Sequence, residues 1–128
     1  MGEFVLPINT LHVELVDQTD DSRPVWRLTR ELAFDSVYAS RVIVVPIGFT
    51  TDLASVPRVP VAYWAAGNTA SRSAVIHDFL YSTKPAPREM CDSIFWEAMV
   101  AEGVASWRVA TMWAAVRAAG WTAWGRRG

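Results

Sequence analysis

The sequence is poor in three residue types that carry much of protein chemistry: it has one cysteine, one lysine and two histidines. With Cys91 alone, no intrachain disulfide can form, and the fold must stand on its apolar core, as expected of a protein made in a reducing cytoplasm. Basic blocks are missing as well. The net charge is −1 and no Lys/Arg-rich run occurs, so the electrostatic footprint of a nucleic-acid binder is lacking and we expect no nucleic-acid partner. No segment approaches the ~20 apolar residues of a membrane span. The opening MGEFVLP has no basic region followed by an apolar run, and Leu6 stands where the myristoylation pattern wants Ser or Thr. The expectation is a soluble protein with neither signal peptide nor transmembrane segment.

What the sequence does have is apolar bulk. At 128 residues and 52% hydrophobic it suits one domain, 1–128, with a real core. Seven tryptophans point either to an aromatic core or to a surface for a membrane or a partner. Residues 11–16 (LHVELV) alternate as a strand, with His12 on the solvent side. Residues 17–24 (DQTDDSRP) are acidic but lack the EF-hand ligand spacing, so they read as a hairpin loop. Residues 25–34 and 41–45 supply a second and a third strand, the latter stopped by Pro46. The predicted fold class is therefore α+β, a small antiparallel β-meander of about three strands (about 10–46) packed against about three C-terminal helices (71–120). A loop region (47–70) joins the two parts, and a tail (121–128) follows.

The helices have legible ends. Ser71 or Ser73 caps the first, which runs to about Tyr81. The second spans residues 88–102, buries a stripe through Cys91, Phe95, Ala98 and Met99, leaves Glu89, Glu97 and Glu102 exposed, and closes at Gly103. Cys91 is expected to be a buried structural thiol. The third runs from Ser106 to about Ala119 with Trp107, Ala110, Trp113 or Ala114, and Arg117 along one side, and Gly120 is expected to stop it. Trp107 and Trp113 should then join the core, leaving Trp121 or Trp124 partly exposed beside Arg126 and Arg127, suited to a membrane surface or a partner protein.

Chemistry, if any, runs through residues 74–92 (AVIHDFLYSTKPAPREMCD). His77 and Tyr81 are four apart on one helical face, Asp78 lies about 100° round, and an antiparallel second helix would bring Asp92 and Arg88 back towards them. A histidine held by a carboxylate from a neighbouring helix is a recurrent way to fix an imidazole for general-base work. In the preceding loop, Asp52 and Ser55 sit among prolines and small hydroxyl residues. They read either as a turn bonded to its own main chain or as groups facing a ligand. Ser55 lacks the G-x-S-x-G setting of a nucleophile elbow.

GFTTDLASVP, AVIHDFLY, the Arg88 and Asp92 of REMCDSIFWEAM, and AVRAAG together resemble the phage and prophage family called domain of unknown function 1353. The resemblance implies a viral origin, with synthesis in the host cytoplasm and a place in the virion as one outcome, but no activity. HDFLY, an intervening basic residue and then Asp92, Phe95 and Met99 are also similar to the two core helices of prokaryotic secreted phospholipases of the A type. That likeness implies His77 as the base, Asp92 as its orienting carboxylate and Asp78 as a calcium ligand. Asp52 would be a further ligand, and Ser55, Tyr81 and Arg88 would stand on the substrate or loop side. This sequence departs from that pattern, with no glycine-rich calcium loop and with Val75 and Leu80 where that family has cysteines. The reading is a phage-encoded accessory protein acting at the host envelope, a His-dependent hydrolase of lipid or other envelope material assisted by a divalent metal, calcium or zinc. The alternative is a non-enzymatic virion or tail-associated module with a buried His/Asp network, docking on a membrane surface or a phage structural protein through Trp121 and Trp124. The sequence does not define an oligomeric state.

Overall fold

The computed structural model describes residues 2–17, 25–51 and 71–126, and every structural statement below concerns those residues. Six short strands precede three helices, so the α+β class with C-terminal helices is what the chain adopts. The strands are β1 (Glu3–Phe4), β2 (Val13–Asp17), β3 (Val25–Leu28), β4 (Leu32–Ser36), β5 (Arg41–Val45) and β6 (Thr50–Thr51). They form two antiparallel sheets of order β1-β4-β5 and β2-β3-β6 rather than one meander.

The division falls inside the expected strand at 25–34. Its alternation runs Trp26, Leu28, Arg30, Leu32, and Arg30 occupies the inward phase, where a guanidinium cannot be buried without a partner. The chain bends there and Arg30 is exposed. On one side of the bend Trp26 pairs with Thr51 and Leu15; on the other, Phe34 pairs with Phe4 and Ile43. Residues 50–51, expected as loop, are an edge strand of the second sheet. His12 is exposed as expected.

The helices are α1 (Ser71–Thr83), α2 (Arg88–Glu102) and α3 (Ser106–Arg126). Leu28, Leu32, Phe34, Ile43 and Val45 from the strands pack with Val75, Ile76, Leu80, Ile94 and Ala98 from α1 and α2 in the main core. A second cluster joins α2 to α3 through Phe95, Met99, Val109, Met112 and Val116. Helix α2 is thus covered by the first sheet and by both other helices. That is why two of its acids are not left to solvent as an amphipathic reading expects: Glu97 is 2% exposed and the Glu102 side chain 7%, while Glu89 is exposed as expected.

Both withdrawn acids are hydrogen-bonded. Glu97 accepts bonds from Ser36 Oγ (2.7 Å) and the Val37 N–H (2.8 Å), tying the helix to the β4–β5 turn. Glu102 caps α1 from outside: one oxygen accepts the Arg72 N–H and Nε (both 3.1 Å), the other the Ser73 N–H (3.1 Å) and hydroxyl (2.5 Å). A carboxylate at a helix N-terminus satisfies donors that the helix itself leaves over. Gly103 ends α2 in the left-handed conformation at φ 85°, as its residue type predicts. Gly120 does not end α3. Its cost of ~1 kcal/mol relative to alanine is offset by carrying Trp124 onto Tyr81, edge to face with ring centres 5.1 Å apart.

Candidate functional site

Helices α1 and α2 run antiparallel across a four-residue loop. Glu102 therefore meets the start of α1 and Asp92 meets its later turns. His77 Nε2 lies 2.6 Å from Asp92 Oδ1, and Tyr81, one turn further on, donates its hydroxyl to the same oxygen at 2.6 Å. The other oxygen, Oδ2, accepts Arg117 Nη1 from α3 at 2.7 Å. Arg88 Nη1, one turn before Asp92, stands 3.6 Å from Oδ2. The Arg88 guanidinium also donates to the Val116 and Arg117 carbonyls at 3.2 and 3.3 Å, so it joins α2 to α3 whichever way its charge is counted.

Asp92 is 0% exposed and His77 1%. Burial alone would push the Asp92 pKa up. The hydrogen bond from His77, that from Tyr81, the charge of His77 and the bond from Arg117 together outweigh it and hold the carboxyl below its ordinary 3.8. An ionised Asp92 only accepts, so Nε2 is the donating nitrogen and the basic lone pair of a neutral ring falls on Nδ1. Burial, and then the bond to Asp92, raise the Tyr81 phenol far above its ordinary value and keep it a donor. Cys91 is pushed up to about 11, first by burial and then by the Asp92 charge. It is therefore a neutral, buried thiol rather than a nucleophile, as expected.

The imidazole is held between rings, with Tyr81 at 4.1 Å and Phe95 at 4.5 Å between centroids, the latter nearly parallel. Asp78, the next residue, is also buried, at 1%. Of the residues singled out in the sequence, His77, Tyr81, Arg88 and Asp92 thus come together, and Asp78 is buried next to them in the chain. Asp52 and Ser55 lie outside the described residues. Among the described residues no three side chains of the metal-holding types converge. These residues alone do not supply the six to eight oxygens that calcium takes.

Arg117 is the participant that sequence reasoning missed. Its signal was available, because a charged residue on the apolar stripe of α3 needs a buried counter-charge, and Asp92 is one. The tryptophans are distributed differently from expectation. Trp113 packs against the α2–α3 cluster and meets Trp96 edge to face at 5.6 Å, but Trp107 is half exposed rather than core. Trp121 is exposed, whereas Trp124 is partly buried on Tyr81 with Lys84 over its ring at 5.0 Å. No described helix is long and apolar enough to cross a membrane.

No curated protein and no solved structure matches the chain. One family model does, over residues 26–116, a span that holds all but the first residue of the two sheets' central strands and the whole His77, Tyr81, Arg88 and Asp92 constellation and stops one residue short of Arg117. By that match the chain belongs to the family described as Protein of unknown function (DUF1353).

Proposed function

We propose that the protein is a phage-encoded accessory protein that acts at the host envelope as a His-dependent hydrolase of lipid or other envelope material. The observation that carries the reading is the 2.6 Å contact of His77 Nε2 with an ionised Asp92 across two antiparallel helices. It leaves Nδ1 as the basic atom of a ring whose orientation is fixed. In that role Nδ1 takes a proton from water as the water oxygen attacks an ester carbonyl. The tetrahedral intermediate then collapses, the ester C–O bond breaks, and the proton passes from the imidazolium to the leaving alkoxide. Asp92 balances the imidazolium, and Tyr81 and Arg117 hold Asp92. The phage origin and the lipid class rest on the resemblances of the GFTTDLASVP and HDFLY stretches. Because the imidazole is 1% exposed, turnover requires its Nδ1 edge to open to water.

The burial of Asp92 and its two arginine partners favour a second reading, a non-enzymatic virion or tail-associated module in which the same network locks three helices together. The variant His77→Asn separates the two. Thermal midpoints would be compared with hydrolysis of phospholipid vesicles and of peptidoglycan, with and without calcium or zinc. The hydrolase reading expects a folded variant that has lost a hydrolysis present in the parent. Unchanged hydrolysis in a folded variant removes His77 from the mechanism. A parent inactive on every substrate, with a variant that unfolds many degrees earlier, supports the lock.

A further inference from the structure

The inner side of α3 is occupied by Val109, Met112 and Val116 in the core and by Arg117 on Asp92. A different face carries Trp107, Ala110, Ala114, Ala118 and Trp121, all exposed, the two tryptophans by 50% and 64%. Spacings of three, four, four and three residues put these five within about 80° of one another on a helix that turns 100° per residue. We propose that this face is the interface of a homodimer, in which α3 crosses α3 of a second copy about a twofold axis at Ala114.

The order of the residues argues for a second copy. An isologous contact requires a surface complementary to itself. Here the stripe reads the same from both ends: Trp107 and Trp121 each stand seven residues from Ala114, and Ala110 and Ala118 each stand four. A twofold axis at Ala114 therefore sets alanine on alanine at the centre and Trp107 beside Trp121 of the second copy at each end.

Shape argues the same way. Two helices packed at the common crossing angle of about 50° approach to about 8 Å only where small side chains meet, and they diverge on either side. The tryptophans lie about 10 Å from the centre along the axis, where diverging helices leave room for large rings. None of the five positions is charged, Arg108 lies against one end of the stripe with its guanidinium 5.2 Å from the Trp107 ring centre, and Arg117 falls opposite Thr111 of the second copy rather than another Arg117. Trp107 and Trp121, at 50% and 64% exposure, and the three exposed alanines present roughly 400 to 500 Å² per copy, so the pair would bury about 800 to 1,000 Å², the size of a weak, transient interface. A lipid surface fits less well. Interfacial binding scales with apolar area inserted, and three alanines recessed between two indoles insert little.

The test is the mass of the full chain by sedimentation equilibrium from about 1 μM to about 1 mM. The expected result is a monomer–dimer equilibrium that Ala114→Arg weakens at least tenfold while the far-ultraviolet circular dichroism stays unchanged. Ala114→Cys, on the axis, should form a cross-linked dimer on mild oxidation much faster than Ala115→Cys, with buried Cys91 taking no part. A chain that is monomeric throughout, a dimer indifferent to Ala114→Arg, or equal cross-linking at both positions would overturn the proposal. So would a monomer that co-sediments with phosphatidylglycerol vesicles and loses that binding on Trp121→Ser.

Discussion

Asp92 and Glu97 stand five residues apart on α2, both essentially inaccessible to water, and they are buried by different means. Asp92 is surrounded by His77, Tyr81, Arg88 and Arg117, so positive groups meet its charge and its pKa is lowered against the pull of desolvation. Glu97 receives only a serine hydroxyl and a backbone N–H, both neutral. One carboxylate is held by charge and the other by hydrogen bonds alone. The first kind of site gathers titratable groups and can do proton chemistry, and the second fixes a turn against a helix.

Removing the charge at Asp92 should therefore have the largest effect. Asp92→Asn leaves two arginines without their carboxylate and turns an amide N–H₂ towards donors, at a cost of about 3 kcal/mol or more in urea unfolding. Its pH signature is specific. A carboxyl lowered in the folded state contributes stability that is complete above its unfolded value, near 3.8, and is lost as pH falls through the lower folded value. The parent should lose stability on acidification below about pH 4, and Asp92→Asn should flatten that limb. A variant as acid-sensitive as the parent would place the titration elsewhere.

Glu97 should behave in the opposite way towards its amide. In Glu97→Gln the amide oxygen can keep the Val37 N–H and the amide nitrogen can donate to Ser36 Oγ, so the loss should stay within about 1 kcal/mol, whereas Glu97→Ala should lose about 2 kcal/mol. If Glu97→Gln proved as damaging as Asp92→Asn, the distinction between the two sites would fail. The smallest effect is expected at the surface pair of β2 and β3. Arg27 Nη2 lies 2.6 Å from Glu14, but both side chains are about half exposed, so Glu14→Ala should cost under about 1 kcal/mol, and less in high salt.

The helix pair was legible because its signals are local. Arg88 and Gly103 mark the ends of α2 to the residue, and the spacing of His77, Tyr81 and Asp92 implied their meeting once the short loop forced an antiparallel return. The amino-terminal half was less legible. A two-residue strand such as β1 or β6 carries no period of its own and exists because β4 or β3 offers it an edge. Gly120 misled for the same reason: a local cost near 1 kcal/mol decides a helix end only where nothing is gained beyond it, and Trp124 gains a contact with Tyr81.

By itself the sequence determined the class of the fold, the three helices in their order, and the meeting of His77, Tyr81 and Arg88 with Asp92. These follow from periodicity, caps and spacing, which act over a turn or two of chain. Only the tertiary structure decided that β3 and β4 belong to different sheets, that Glu97 is inside and Trp107 half outside, and that Arg117 completes the cluster from a third helix. Each of these depends on what lies across from a residue rather than beside it. Arg117 and Asp92 are 25 residues apart, and only the packing of α3 on α2 makes them neighbours.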